Sequence, residues 1–272
     1  MNAQFSIWSQ FYNTVEPEEA IVEFEKDGLK YTEISSEHIT SLMRRGEDLE
    51  KTGSEFSRFC ADHGVCVRQA HLIFPSDIVT DKSASQLIPR ELRLLSSMGV
   101  RAAVLHADPM QDSGASYSEI IEKNIEALKP IVNECEKYGI YICLENLQSC
   151  FRGIDDILYA IDKIGSDILG VCLDTGHLNL SQTSSQREFI LKAGSRLKAL
   201  HIADNDGSRD QHLAPFGAGK VDFIEVVRAL SEIGYDGMFN YEVSLGNKYT
   251  YEQIIENYNK LFDDYNKSKQ EK

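Results

Sequence analysis

The chain has 272 residues, of which 42% are hydrophobic, and it carries a formal net charge of −15. This length fits one large α/β domain or two small ones. The acidic balance argues against a partner held mainly through phosphate contacts, because such a partner needs a basic surface. We therefore expect no nucleic-acid partner.

The six cysteines form neither a CxxC pair nor a small disulfide framework, which favours a reducing compartment. The first residues show no basic region followed by an apolar stretch, and no apolar run approaches the length that spans a membrane. We expect a cytoplasmic protein with no membrane association. The sequence is also compatible with a homo-oligomer.

Short apolar runs alternate with helical patterns through the first part of the chain. Strands are predicted at residues 4–9 and 29–34, separated by a helix that begins at Pro17 and stops at Gly28. A long charged segment with helical spacing follows. It ends at Gly64, immediately before a third strand.

The same alternation continues to the end of the chain. Residues 121–135 carry apolar side chains three or four positions apart, which is typical of a helix with one buried stripe. Pro130 predicts a kink or a split in this helix, and Gly139 stops it before the next strand. Further helices are predicted at residues 154–164, 223–233 and 251–265.

Eight strand–helix alternations with no linker rich in Pro, Gly or Ser predict a single (β/α)8 TIM barrel. We expect the barrel to occupy residues 1–265 and the polar tail at 266–272 to be frayed. A doubly wound open sheet is the competing fold. It is disfavoured because no glycine-rich phosphate turn follows the first strand.

Six of the apolar runs end on a side chain that can bind a metal ion, at about the period of one βα unit. In a parallel barrel the carboxyl ends of all strands meet on one face, so distant side chains can converge there. The six strand-end residues are His71, His106, Glu145, Asp174, His201 and Glu242.

Four of these residues are predicted to bind one divalent cation, namely Glu145, Asp174, His201 and Glu242. Oxygen ligands with a single nitrogen suit Mn²⁺, Mg²⁺, Co²⁺ or Zn²⁺ and leave coordination positions open. A single carboxylate at a strand end is often a helix N-cap or a surface ion pair. Four such residues in phase favour a metal centre.

Two local segments extend the predicted site. A Thr-Gly turn separates Asp174 from His177, so both side chains can face one cavity. Farther along, Asp210 and His212 alternate and would share one face of an extended loop. Arg209 beside them could hold an anionic or polyhydroxy substrate. An ordinary polar loop is the alternative interpretation of this last segment.

At these residues the chain resembles the xylose-isomerase-like barrel superfamily, which includes the sugar phosphate isomerase/epimerase group and endonuclease IV. The resemblance covers essentially the whole chain in order. It implies that Glu145, Asp174, His201 and Glu242 are the shared metal ligands. The positions that match the extra ligands of endonuclease IV, and so imply additional zinc, are His71, His106, His177, Asp210 and His212.

The chain departs from the pattern of the ketose 3-epimerases in this superfamily at two places. Those enzymes carry a further Glu soon after the first metal-binding Glu, whereas residues 148–152 contain no acid. Their substrate-binding Arg, six residues after the metal-binding His, falls on Gly207. Arg209 is the nearest substitute.

Three functions fit this pattern. The first, which we favour, is a metal-dependent isomerase or epimerase, or a related lyase or dehydratase, acting on a sugar, sugar acid or cyclitol. Glu145 and Glu242 would transfer protons. The second is a zinc-dependent AP endonuclease like endonuclease IV, which the acidic charge disfavours. The third is a non-catalytic barrel. In the first function the substrate would contact His71, His106, His177, Arg209 and His212.

Overall fold

The computed structural model describes residues 3–12, 15–215, 217–243 and 249–270. The strands are β1 (Gln4–Trp8), β2 (Tyr31–Ile34), β3 (Cys66–His71), β4 (Ala102–Leu105), β5 (Tyr141–Glu145), β6 (Leu169–Asp174), β7 (Leu197–His201) and β8 (Met238–Tyr241). The helices are α1 (Pro17–Asp27), α2 (Ser36–Met43), α3 (Leu49–Asp62), α4 (Lys82–Met98), α5 (Tyr117–Tyr138), α6 (Ile154–Ile164), α7 (Thr175–Ser181), α8 (Gln186–Ala193), α9 (Phe223–Glu232) and α10 (Tyr251–Gln270).

All strands are parallel and follow one another around a single sheet, in the order β7-β6-β5-β4-β3-β2-β1-β8. The two ends of this sheet meet through a parallel bridge between Ile202, just after β7, and Tyr241 of β8. The sheet is therefore a nearly closed barrel surrounded by helices. This confirms the predicted (β/α)8 TIM barrel.

The main hydrophobic core lies between the sheet and the helices. The predicted stripe of α5 faces it, with Leu128 and Cys135 fully buried, and Ile157 of α6 packs in the same layer. The helices thus bury one side and leave the other to solvent, as an amphipathic pattern requires. No helix in the described residues is long and apolar enough to cross a membrane.

Glycines end several helices where the sequence predicts. Gly28, Gly139 and Gly165 follow α1, α5 and α6 in the left-handed region, with φ of 78°, 63° and 74°. This conformation lets each N–H bond back to the last helical turn, and glycine adopts it without the steric cost of a Cβ. The chain then turns directly into the next strand.

The structure corrects three details. Pro130 does not split α5, which is one helix of 22 residues, since the buried stripe on both sides of the proline packs against the barrel. The charged segment forms two helices, because Asp48 caps a new one by accepting a hydrogen bond from the Lys51 N–H at 3.1 Å. The last helix continues to Gln270, past its predicted end at 265. Residues 271–272 of the predicted tail lie outside the described residues.

Candidate active site and metal centre

The strands present the predicted ligands by simple alternation. Three interior positions belong to a small apolar cluster that is separate from the main core, namely Cys143, Cys172 and Ala199. Because side chains in a strand have a period of two, the residue two positions later on each strand faces the same interior. Those residues end β5, β6 and β7, and they are Glu145, Asp174 and His201.

Closure of the barrel adds the fourth predicted ligand. The carbonyl of Ile202 accepts a hydrogen bond from the backbone N–H of Glu242 at 3.1 Å, and the Ile202 N–H donates to the carbonyl of Asn240 at 2.7 Å. On the other side, His201 pairs in register with Asp174. Backbone hydrogen bonds therefore fix three of the four candidate ligands relative to one another.

The four side chains meet at one point. One potential ligand atom from each of Glu145, Asp174, His201 and Glu242 lies within 4.8 Å of all the others. The His201 Nδ1 is 3.1 Å from Glu145 Oε2 and 3.0 Å from Glu242 Oε2. The predicted convergence is therefore present, and all four residues are buried.

The donor set fits a divalent cation. Each of the four residues has a buried atom without a hydrogen bond of acceptable geometry to any described residue, and these atoms are Glu145 Oε1, Asp174 Oδ2, His201 Nδ1 and Glu242 Oε2. Buried polar atoms are nearly always paired, since leaving one unpaired costs about 1–3 kcal/mol. A cation coordinated by three carboxylates and one imidazole would satisfy this set.

Burial and neighbouring charges shift the pKa values of the carboxyl groups in this cluster. Burial raises the pKa of Asp174 to about 7, although the nearby His177 opposes the shift. Burial acts in the same direction on Glu145 and Glu242, but neighbouring imidazoles outweigh it. His106 and His201 hold the pKa of Glu145 well below its usual range, and His201 lowers that of Glu242 to about 2. Glu145 and Glu242 are therefore ionised at neutral pH.

A second group of potential ligands shares Glu145. The Nε2 atoms of His71 and His106 are 3.2 Å apart, and His106 Nε2 is 3.0 Å from Glu145 Oε2. The carbonyl of Leu72 can only accept, so its 2.8 Å contact with Nδ1 places the proton of a neutral His71 ring on Nδ1 and the lone pair on Nε2, the atom that faces His106. Burial lowers the pKa of His106, which favours the neutral ring that a metal ion needs.

The remaining predicted ligands, His177, Asp210 and His212, form a third group. Asp210 Oδ2 is 3.3 Å from His177 Nε2 and 2.9 Å from His212 Nε2. Nδ1 of His212 donates to the carbonyl of Glu242 at 2.7 Å. Burial would lower the pKa of His212, but its hydrogen bond with Asp210 raises it to about 10. The loop that carries Asp210 and His212 is thereby tied to the end of β8.

A cavity of about 780 Å³ opens above these groups. Its walls include the imidazoles of His71, His106, His177 and His212, together with the carboxylate of Glu242. On one side the indole of Trp8 stacks on the His212 ring, with centroids 6.2 Å apart and planes 9° apart. Phe74, whose exposed fraction is 61%, lies at the mouth. Among the described residues, no Lys or Arg lines the cavity.

Arg209 is the one predicted site residue that lies neither in the cluster of candidate ligands nor on the described cavity walls. It lies on the exposed turn before Asp210 and is absent from the cavity walls, whereas its neighbour Asp210 contributes to them. Its predicted role in substrate binding therefore stays a prediction, without support from this geometry.

Two buried residues beside the cluster were not predicted to take part. Asn146 follows Glu145 and forms two hydrogen bonds with the backbone of Asp174, at 2.9 Å and 3.0 Å, which lock β5 to β6 at the ligand level. Glu33 of β2 is fully buried and lies 3.2 Å from Nε2 of His201. Glu33 could have been noticed in the sequence as a charged residue inside a strand. It was missed because it stands one residue before the strand end, where the other candidate ligands lie.

The family described as xylose isomerase-like TIM barrel matches residues 23–263 of this chain. The chain belongs to this family. The match includes seven of the eight strands and all four residues of the candidate metal centre. The resemblance inferred from the strand-end residues is confirmed.

Named relatives point to more than one activity. The chain is 32% identical to the D-psicose 3-epimerase of Enterocloster bolteae over 42% of this chain and 36% of that one. It is 26% identical to a probable endonuclease 4 of Mycoplasmopsis agalactiae over 61% of each. Three uncharacterized proteins, from Methanocaldococcus jannaschii and Sinorhizobium fredii, match at 28–37% identity, and the chain spans about half the length of each.

The fold is also that of a solved structure of a D-tagatose 3-epimerase-like protein. The two superpose with a TM-score of 0.80 at 22% identity, over 97% of this chain and 99% of the other. At this identity the likeness establishes the shared barrel.

Proposed function

We propose that the protein is a metal-dependent epimerase or isomerase of neutral sugars or cyclitols. The observation that carries the proposal is the buried set of three carboxylates and one imidazole beneath an open cavity. The named 3-epimerases among the relatives and structural neighbours support it. When bound, the divalent ion would polarise a substrate carbonyl and its neighbouring hydroxyl and so lower the cost of removing a carbon-bound proton.

The protein's own residues supply the proton transfer. Glu145 and Glu242 come from strands β5 and β8 and approach His201 from two directions, at 3.1 Å and 3.0 Å. Both carboxyls have lowered pKa values, so each is ionised and able to accept a proton at neutral pH. One would accept the proton from carbon, and the other, after taking up a proton from solvent, would donate it to the opposite face of that carbon.

The cavity walls narrow the substrate class. A phosphorylated or carboxylated substrate usually meets Arg or Lys, whose charge and hydrogen bonds suit these anions. The described cavity walls contain neither, but they do contain the carboxylates of Asp210 and Glu242. Imidazoles such as those of His106 and His177 suit hydroxyl groups, and Trp8 offers an apolar surface to a sugar ring. We therefore place neutral polyols ahead of sugar acids and sugar phosphates.

Solvent exchange tests this proposal directly. The protein would be incubated with neutral ketoses and inososes in deuterated solvent with Mn²⁺, and ketose phosphates would serve as matched controls. We expect deuterium at the epimerised carbon of a neutral substrate, loss of this incorporation with chelator, and recovery with Mn²⁺. Loss of water from the substrate would instead indicate the related lyase. Activity that survives complete removal of metal would contradict the proposal.

An AP endonuclease is the second candidate, because all nine residues that match endonuclease IV gather around the same cavity. Against it, the net charge is −15, and duplex binding depends on neutralising several phosphates. Three bound Zn²⁺ ions would leave the total negative. We expect no incision of an abasic duplex; incision that chelator removes and Zn²⁺ restores would favour the nuclease instead.

A further inference from the structure

Glu33 is a buried carboxylate beneath the candidate metal centre with no assigned role. Its side chain is fully buried, and its Oε2 lies 3.2 Å from Nε2 of His201. The Gln69 amide donates to the same oxygen. His201 is the sole ion-pair partner of Glu33 in the described part of the chain. A buried carboxylate is costly without a compensating partner, so this contact needs a reason.

An irregular pairing between β2 and β3 places Glu33 next to His201. Thr32 of β2 pairs with Val67 of β3, but the next residue, Glu33, pairs with Gln69. The extra residue, Arg68, is a bulge in β3. Bulges re-aim side chains and are frequent near functional sites. Here the shift places Glu33 and Gln69 side by side in the interior, next to His201.

The two ring nitrogens of His201 face different partners. Nδ1 points to Glu145 and Glu242 and has no hydrogen bond of acceptable geometry, while Nε2 points to Glu33. We propose that Glu33 is a positioning residue that accepts the Nε2–H of His201 and so keeps Nδ1 unprotonated and directed at the metal. A carboxylate on the second nitrogen of a ligating histidine fixes its tautomer and raises its basicity.

This inference rests on the metal centre of the proposed function, and direct metal binding separates the two. Mn²⁺ affinity would be measured by calorimetry on chelator-treated wild type and on Glu33→Gln, which keeps the size of the side chain. We expect the dissociation constant to rise about tenfold or more. The matched control is Glu91→Gln on α4, since Glu91 is also fully buried but lies outside the cluster. Its affinity should equal that of wild type.

Each outcome decides something. A wild type that binds no Mn²⁺ overturns the proposed function and this inference together. A wild type that binds Mn²⁺ while folded Glu33→Gln binds it within about twofold overturns the role of Glu33 alone, because a true partner of a metal-binding His contributes more.

A second measurement needs no variant of Glu33 and covers the case in which Glu33→Gln does not fold. Ring ¹⁵N NMR on Zn²⁺-loaded wild type reads which nitrogen of His201 carries the proton, and His201→Gln assigns the signal. A protonated Nε2 whose proton resonance shows a hydrogen bond to a carboxylate supports the inference, and a protonated Nε2 without that bond overturns it. A protonated Nδ1 overturns it.

Discussion

The two halves of the barrel interior differ beneath the candidate ligands. Below the carboxyl ends of β8, β1, β2 and β3 lies a polar floor of four fully or nearly fully buried side chains, namely Asn240, Ser6, Glu33 and Gln69. Below those of β4, β5, β6 and β7 lies an apolar floor of Val104, Cys143, Cys172 and Ala199. One ring of strands thus carries two chemically different interiors.

The difference shows how each ligand is held. Glu145 and Asp174 stand on the apolar floor, and their polar contacts come from His201 beside them and from His106, His177 and Asn146 above the floor. His201 also stands on the apolar floor, but it reaches across the interior to Glu33. The apolar floor therefore packs and excludes water, while the polar floor supplies hydrogen bonds.

The largest expected effect is a loss of turnover. It tests whether the two halves of the barrel interior contribute equally to proton transfer. Glu145 stands above the apolar floor and Glu242 above the polar floor. Each would lose a ligand and a proton-transfer group on change to Gln, so we expect turnover to fall about 10²–10⁴-fold in both Glu145→Gln and Glu242→Gln. Steady-state kinetics on a substrate from the exchange assay measures this. Near-normal turnover in either variant would refute the proposed chemistry.

Glu91 of α4 is a buried carboxylate that belongs to neither floor, and it serves as a reference for the buried carboxylates inside the barrel. One of its oxygens accepts from the Ile73 N–H at 3.3 Å, and burial raises the pKa of Glu91 from 4.5 to about 8. Because the pKa is raised on folding, the folded state binds more protons than the unfolded state between these values. The contribution of Glu91 to the free energy of unfolding is therefore fully present below pH 4.5 and is lost as the pH rises through about 8.

We therefore expect Glu91→Gln to remove this pH dependence. The free energy of unfolding of the variant should rise relative to that of wild type by up to about 1.4 kcal/mol per pH unit across this range. Urea unfolding of both proteins, from about pH 5 to about pH 8, measures the difference. Parallel stability curves for the two proteins would be inconsistent with a raised pKa.

One substitution in each floor compares what the two floors contribute to the free energy of unfolding and to Mn²⁺ affinity. Val104→Ala removes buried apolar volume and should lower the free energy of unfolding by about 2 kcal/mol. Ser6→Ala removes the donor that binds Asn240 Oδ1 at 2.6 Å and should cost about 1–3 kcal/mol. We expect Mn²⁺ affinity to be unchanged in Val104→Ala, since this residue only packs. A large loss of affinity in that variant would show that the apolar floor also tunes the centre.

The smallest effect concerns Arg209. It is exposed and does not line the cavity, so Arg209→Ala should change kcat/KM by no more than about twofold, as expected for a surface substitution. A much larger loss would show that this turn brings the guanidinium to the substrate and would restore the predicted binding role.

The sequence by itself determined the barrel and the grouping of the four candidate metal ligands. The alternation of apolar runs and helical patterns specifies βα units, and parallel strands bring their carboxyl ends to one face. Glu145, Asp174, His201 and Glu242 could therefore be grouped from their strand-end positions, before any distance between them was known. The ends of helices such as α5 at Gly139 could also be predicted, because the left-handed φ of the residue after a helix favours glycine.

Only the tertiary structure decided the rest. Glu33 meets His201 because a bulge opposite it changes the register of β2 and β3, and no local pattern encodes that pairing. Arg209 turns to solvent because the loop is anchored through Asp210 and His212 instead. Pro130 stays inside a continuous helix because packing on the barrel outweighs the single hydrogen bond that proline cannot donate. These outcomes depend on contacts between residues far apart in the chain, which sequence spacing alone does not specify.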